Sequence, residues 1–541
     1  MRAVTEHGRY PSQRFLTAPT VITSVMNSDE SFPMLQWVPH VPVAVNLRKL
    51  LPQASFVGCG DIHCTDATDR SAECRPGSLF AAIRGTRADG HEHISEAIGR
   101  GATALLVDQP QADVAVPQCV VADVRKAYAE LCSALMAWPA RHLGLAGVTG
   151  TNGKTTTTWL IRSILQTAGR QTGLLGTIEY SDGLTTETSK LTTPDPAGLA
   201  RRLAAMVSLK TTHAAMELSS HALDQRRTAG TLLDAAVITN ITQDHFDYHL
   251  NFTAYRQSKL RIFECLKPAG LAIVNVDDAG SRSCLEEAAR RVVTYGLDEA
   301  ADVSADSIAQ SQFGSRFRVC LGTGSVMVET ALVGRHNISN CLAAAAVATH
   351  FGVGLAEIAR GIETLMVVPG RLEHVECGQP FPVFVDYAHT EDGLRNAIAA
   401  LRPLIRGRVI CVFGAGGDRD RLKRPLLGRA AAEADLAVVT SDNPRSEEPA
   451  AIIDEILPGF AGSRRQPCVE VDRARAIRWA IQHAGESDAV LIAGKGHETE
   501  QIIGAQRLHF DDREVARQCL AAQFPVAHSR HMHLPRNPLR V

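Results

Sequence analysis

Short apolar runs bounded by glycine, proline or charged residues alternate with stretches of helical periodicity along most of this chain. Uninterrupted apolar runs predict strands buried on both faces, and strands separated by helices predict parallel sheets. A first block, 41–142, holds the Pro76-Gly77 turn and the runs Leu79 to Ile83 and Ala102 to Val107. A second, 143–369, opens on Leu143 to Thr149 and continues with Ala235 to Thr239 and Leu271 to Val276; its alternating stretch Arg316 to Val333 predicts antiparallel strands. A third, 370–523, follows Val368-Pro369-Gly370, with strands expected at Phe381 to Tyr387, Arg408 to Phe413, Leu436 to Thr440 and Ala489 to Ala493. Residues 1–40 and 524–541 lack sustained periodicity and read as a flexible extension and tail. The expected fold class is α/β in three domains, each a strand–helix unit built on a mainly parallel sheet.

Length and composition narrow the function class without naming a reaction. The 541 residues suggest three or four domains. Lysine plus arginine total 56 against 58 acidic residues, a net charge of −2, which disfavours a general nucleic-acid binder. No apolar run approaches the roughly 18 residues of a membrane span; Leu342 to Ala348 is typical of the longest. Thirteen scattered cysteines without a CxxC pair read as reduced thiols in a cytoplasmic protein.

The sharpest chemistry lies in Gly147-Val148-Thr149-Gly150-Thr151-Asn152-Gly153-Lys154-Thr155-Thr156, between a buried strand and a helix-like segment. Glycines let backbone N–H groups turn toward a phosphate, and a helix N-terminus adds partial positive charge. Lys154 can reach the β/γ-phosphates, and the Thr155 hydroxyl can bind Mg²⁺. The general GxxxxGK[ST] spacing is missed once, at Val148, and a plain glycine-rich strand–helix turn is the bland alternative. Thr149 to Thr156 matches without a mismatch the TGTNGKT[ST] loop of the Mur ligase family, which the chain resembles. The resemblance implies an ATP site made of Gly150, Thr151, Asn152, Gly153, Lys154, Thr155 and Thr156.

Other segments are read first from their residues and then through that resemblance. Glu217 ends an apolar strand, and His245 follows another in Thr239-Asn240-Ile241-Thr242-Gln243-Asp244-His245; each places a ligand at a strand C-terminal end, where open α/β sheets bind. Either alone is weak. The resemblance implies that both hold a second Mg²⁺. Lys259, in Tyr255-Arg256-Gln257-Ser258-Lys259, reads by itself as a solvated helix lysine. The resemblance implies a carbamylated metal ligand instead, since carbamylation gives lysine an anionic, carboxylate-like head. Thr192, Thr193, Ser219, Gln225 and Arg227 bring hydroxyls, an amide and a guanidinium that suit a carboxylated peptide, or equally turns and caps. Similar segments in the tripeptide-forming members hold UDP-N-acetylmuramoyl-L-alanyl-D-glutamate. Asn337 reads as a cap of an alanine-rich helix, and the resemblance makes it an adenine contact. Arg371 and Asp386 correspond to residues that approach the nucleotide across a domain interface. After His389-Thr390 the usual Pro-Asp is Glu391-Asp392, a change expected to shift a helix start rather than the chemistry.

In the third block, Asp442-Asn443-Pro444-Arg445 reads as an Asn-Pro turn with a surface arginine. With Gly494-Lys495-Gly496-His497-Glu498 downstream, an Arg and a Glu at strand ends could clamp the two ends of a diamino acid. In the family this motif marks enzymes that add meso-2,6-diaminopimelate. Asp442, Asn443, Pro444, Arg445, Gly494 and Glu498 carry over, with Arg402 as a further carboxylate contact. Gly414-Ala415-Gly416-Gly417-Asp418-Arg419-Asp420 is also close to a family segment. The N-terminal block matches least: Asp-Ser-Arg becomes Arg70-Ser71-Ala72, so only Ser71 carries over to the uridine nucleotide, although Gly85-Thr86-Arg87-Ala88-Asp89-Gly90 fits better. The resemblance spans 41–523 and implies an N-terminal α/β substrate domain, a central P-loop parallel-sheet ATPase domain and a C-terminal Rossmann-like domain. It implies a cytoplasmic, monomeric, ATP- and Mg²⁺-dependent amide ligase of peptidoglycan precursor synthesis with small-molecule substrates and no nucleic acid. A lysine-adding or folylpolyglutamate-type ligase and a P-loop kinase or NTPase are the alternatives.

Overall fold

The computed structural model describes residues 42–524, apart from 86–87, 243–245, 289–290 and 464. The expected extension and tail lie outside the described residues. Three α/β blocks follow one another. The first carries a five-stranded sheet in the order Ser55–Val57, Gln118–Val120, Ala104–Val107, Leu79–Ala81, Ala67–Thr68. All its pairs are parallel except the first.

The central block is built on eight strands. Gly144–Thr149 lies in the middle, between His213–Glu217 and Leu233–Ile238, and all three are parallel. Thr172–Leu175 continues one side and Leu266–Asn275 and Val292–Tyr295 the other, again in parallel. Helix Lys154–Thr167 leaves the central strand with Leu160, Ile161, Ile164 and Leu165 buried at three- and four-residue spacing, so one face is given to the core. Against it packs Arg335–His350, whose run Cys341 to Ala348 is wholly buried. Alanine on nearly every side lets that helix sit close to neighbours on several faces. The alternating stretch becomes Gly314–Leu321 and Gly324–Thr330 in an antiparallel sheet, which also recruits Ser304–Ser311.

The third block orders its sheet as Glu373–His374, Val383–Asp386, Ala489–Ala493, Val409–Phe413, Leu436–Val439, Cys468–Val469, parallel except for the first pair. The hairpin Glu500–Ile503/Gln506–His509 was not foreseen by any apolar run. No helix among the described residues is long and apolar enough to cross a membrane.

Candidate functional site

The phosphate loop follows the central strand of the eight. Gly150 has φ of +155°, and a Cβ there would fall 1.8 Å from Thr239 Oγ1, so only glycine lets the loop pass beneath that strand. Gly153, at φ +87°, turns the chain into the helix that begins at Lys154. The loop is braced by the next strand end: Thr151 N donates to Asn240 O at 2.8 Å, and Asn152 N donates to Asn240 Oδ1 at 2.8 Å. Lys154 Nζ lies over the loop and donates to Gly150 O and Thr151 O at 2.7 and 2.9 Å.

Glu217 and Lys259 meet at this loop. Glu217 is 1% exposed; its carboxylate accepts from Thr155 Oγ1 at 3.1 Å, and from Thr177 N and Oγ1 at 2.8 and 2.9 Å. A buried carboxylate beside the loop hydroxyl is a hard oxygen donor set of the kind Mg²⁺ takes. The reading of Lys259 as a solvated lysine is wrong. It is 1% exposed, donates to Gly150 O at 2.8 Å and lies 4.6 Å from the Tyr255 ring centroid, because its helix lays that face on the loop. His245, the other expected ligand, lies outside the described residues.

Two cavities flank the loop. One, about 290 Å³, is bounded by Asn152, Gly153, Asn337, Asn340, Arg371 and Asp386. The other, about 200 Å³, is bounded by Lys154, Thr155, Thr192, Glu217, Ser219 and Lys259. Asn337 does not cap its helix: Gly334 does, and Asn337, in the first turn, donates its amide to Val333 O at 2.8 Å and accepts from Asn340 at 3.0 Å. Arg371 Nη2 donates to Thr155 Oγ1 at 3.1 Å, its guanidinium sits over the Tyr387 ring, and its buried Nε has no hydrogen-bond partner among the described residues. Asp386 accepts from Leu372 N and Ala388 N at 2.6 and 2.8 Å, while burial pushes its pKa up. Helix Glu391–Leu401 begins at the substituted pair, and the Asp392 carboxylate accepts from Asn152 Nδ2 in the phosphate loop at 2.7 Å.

The peptide-suiting residues cluster beside the second cavity. Thr193 Oγ1 donates to Glu217 O and accepts from Ser219 N; Ser219 also caps helix Ser220–Asp224. Arg227 reaches Thr193 O at 3.1 Å and Gln225 Oε1 at 2.8 Å, and Thr192 Oγ1 lies 3.1 Å from Thr177 Oγ1. Burial lowers the Arg227 pKa. Ser71 starts a short 3-10 helix and donates to Glu96 at 2.7 Å; its neighbour Arg70 comes within 3.9 Å of Asp195, near Thr193.

Asp442, Asn443, Pro444 and Arg445 leave the strand Leu436–Val439 and meet the loop after Ala489–Ala493. Asn443 Nδ2 donates to Glu498 at 3.1 Å, and a Cβ on Gly494 would lie 2.8 Å from Asp442 Oδ2. Arg445, at φ +52°, is not a free surface arginine: it is half-buried, its backbone pairs with Ile502 and Gly504 of the unforeseen hairpin, and its guanidinium donates to Gly417 O at 2.7 Å. Burial and then Arg419 lower its pKa, while burial and then Asp442 raise that of Glu498. Arg402 is not part of this group. It pairs with Asp435 and donates to Gly407 O, which precedes the strand Val409–Phe413, so it sits at the opposite edge of the parallel sheet. An arginine that ends a helix there serves to tie strand starts together.

Sequence reasoning passed over several residues here. Arg419 lies against Gly416 together with Arg445. Lys495 is fully buried and donates to Asn443 Oδ1 at 3.0 Å. Both stand inside quoted motifs, which was signal enough. Thr177 carried none.

Comparison with known proteins agrees with this architecture. Residues 68–137 match the Mur ligase family catalytic domain, 148–348 the Mur ligase middle domain, and 370–496 the Mur ligase glutamate ligase domain. A UDP-N-acetylmuramoyl-L-alanyl-D-glutamate–2,6-diaminopimelate ligase of Gloeobacter violaceus is 46% identical over 485 residues, covering 88% of this chain and 98% of that protein. The Geobacillus kaustophilus protein of the same name is 45% identical over 448 residues, 82% and 91% of the two chains. A solved structure of a ligase of that name superposes with a TM-score of 0.63 at 29% identity, over 89% of this chain and 99% of the other. A MurF ligase of Thermotoga maritima, solved with ADP, shares the fold at 18% identity and a TM-score of 0.56, over 85% and 96%. The chain belongs to the Mur ligase family.

Proposed function

We propose that this protein is an ATP-dependent amide-forming ligase that joins meso-2,6-diaminopimelate to the D-glutamate of UDP-N-acetylmuramoyl-L-alanyl-D-glutamate, a step of peptidoglycan precursor synthesis. The observation that carries the amino-acid choice is the Asn443–Glu498 contact, which places an acidic group beside the turn that presents Arg445. A diamino acid has an ammonium and a carboxylate at its far end, and one Glu with one Arg matches that pair. The name its relatives carry supports the same choice.

Residues 41–142 take the uridine nucleotide through Ser71, 143–369 take ATP, and 370–523 take the amino acid. Gly150 to Thr156 wrap the phosphates; Asn337 faces adenine; Arg371 and Asp386 close from the third block. Thr192, Thr193, Ser219, Gln225 and Arg227 hold the dipeptide. Arg419 takes the carboxylate contact first expected of Arg402. Thr155 would hold one Mg²⁺, and Glu217, His245 and a carbamylated Lys259 would hold a second, the metal supplying charge that offsets that of the phosphates. Lys154 supplies charge to the γ-phosphate while the D-glutamate γ-carboxylate oxygen attacks phosphorus and ADP leaves. The amine of diaminopimelate then attacks the acyl carbon, gives up a proton, and phosphate departs with its bonding electrons. The protein acts as a monomer in the cytoplasm.

Phosphate release with ATP and the nucleotide dipeptide tests this, with diaminopimelate or L-lysine as acceptor. Release is expected with diaminopimelate and is abolished in Lys154→Ala. Release only with lysine overturns the acceptor, and robust turnover by Lys154→Ala overturns the chemistry.

A further inference from the structure

The main chain of Asn152 is pinned from within the central block: its N donates to Asn240 Oδ1, and its O accepts from Asn240 Nδ2 at 3.1 Å. Its side chain instead crosses to the third block, where the amide donates to Asp392 Oδ2 at 2.7 Å. The same oxygen accepts from Thr242 Oγ1 at 3.0 Å, and Thr242 N in turn donates to Thr151 Oγ1 at 3.0 Å. One carboxylate oxygen therefore gathers the phosphate loop and the segment that braces it. Asp392 is itself held in place, because Thr390 caps its helix by accepting from Gly393 N at 3.1 Å. Asn152 and Gly393, which flank these contacts, border both cavities beside the loop. On the far side of Lys154, Arg371 makes the companion contact to Thr155.

We propose that Asp392 is a positioning residue for the nucleotide, a latch that fastens the third block to the phosphate loop through Asn152 and Thr242. Held this way, the loop presents its N–H groups and Lys154 in one geometry, and Arg371 and Asp386 stay at the nucleotide. Without the latch the block still docks through Arg371, but the nucleotide must order the contact itself, so its affinity falls. The ligase reading enters only by making ATP that nucleotide.

The test is steady-state phosphate release by the intact chain. Asp392→Ala should raise KM for ATP about tenfold, the size of one charge-assisted hydrogen bond, and leave KM for the dipeptide and the amino acid within about twofold. Asp392→Asn, whose carboxamide oxygen still accepts, should show a smaller rise. Glu391→Ala removes the neighbouring acid of the same helix turn and should not change KM for ATP. Adding Asp392→Ala to Asn152→Ala should cost less than Asp392→Ala costs alone, because only the Thr242 contact is then left to lose. An unchanged KM for ATP, an equal rise in all three KM values, an equal effect of Glu391→Ala or full additivity with Asn152→Ala overturns the latch. If Asp392→Ala fails to fold, Asp392→Asn alone decides by the same criteria. Absence of turnover in the unmodified chain would sink the ligase reading instead, and calorimetric binding of ADP to the same variants would then decide the latch separately.

Discussion

Glu498, proposed to meet the ammonium of the amino acid, is a residue set against the fold. Burial, followed by the nearby charge of Asp442, holds its pKa above the ordinary glutamate value of 4.5, and the Lys495 ammonium 3.8 Å away only partly offsets this. A carboxyl whose folded pKa exceeds its unfolded one destabilises the fold wherever it is ionised in both states. That cost is complete above the folded pKa and fades as pH falls through it toward the unfolded value. Glu498→Gln should therefore raise the thermal midpoint of the ligand-free protein near pH 7.5, with the gain shrinking by about pH 4.5. The same variant should lose diaminopimelate-dependent turnover, an exchange of function for stability. Melting curves of both proteins at the two pH values check it, and a gain that is constant or grows on acidification would contradict the argument. Residues such as this were legible because the motif around them is contiguous; Thr177 was not, because its tie to Glu217 spans forty positions and a threonine after a strand carries no pattern.

At the scale of elements, legibility follows burial. Val409–Phe413 and Ala489–Ala493 are covered on both faces and so are apolar at every position, whereas Cys468–Val469 and the hairpin Glu500–Ile503/Gln506–His509 lie at an edge or on the surface and show no run. Helix–helix approach is less legible still. Helix Leu355–Thr364 crosses Lys154–Thr167 so closely that a Cβ on Gly361 would lie 2.4 Å from Ile164 Cα, and Ser163 Oγ donates to Gly361 O at 2.6 Å. Two effects compete in Gly361→Ala. Alanine improves intrinsic helix propensity by about 1 kcal/mol, but the contact is with backbone, which cannot rotate away, and overpacking of this kind costs about 1–3 kcal/mol. The steric term should win, with a net loss of stability in urea unfolding and a phosphate loop displaced along with its helix. A variant as stable as the parent would mean that the two helices can separate freely.

For the whole molecule, the near-zero net charge agrees with a design in which phosphates are met locally, by one loop and a few arginines, and not by a general basic field. The three blocks were legible as a count because each repeats the strand–helix alternation. How they meet was not, since Asn152–Asp392 and Arg371–Thr155 join residues more than two hundred positions apart. Those joints are polar, while most of the apolar packing lies within a block, Val333 being the central-block residue that joins the third block's core: Val409, Cys411, Val439 and Leu491 pack on one face of the third sheet, and Ile410, Val412, Val438 and Ile492 on the other. A block with a complete core and polar joints should fold by itself. We expect a fragment of residues 370–524 to unfold cooperatively on heating, as followed by circular dichroism. The nucleotide distinguishes the part from the whole. The contacts proposed for it come from Lys154 and Asn337 in one block and from Arg371 and Asp386 in the next, so in that proposal neither block alone offers a complete site. A ligand that binds only the native state adds RT ln(1 + [L]/Kd), about 2.7 kcal/mol at a hundredfold excess over Kd. ADP should therefore raise the melting midpoint of the intact chain by several degrees and leave that of the fragment unmoved. A shift in the fragment would place the nucleotide site within the third block, and no shift in either would remove the nucleotide from the interface between them.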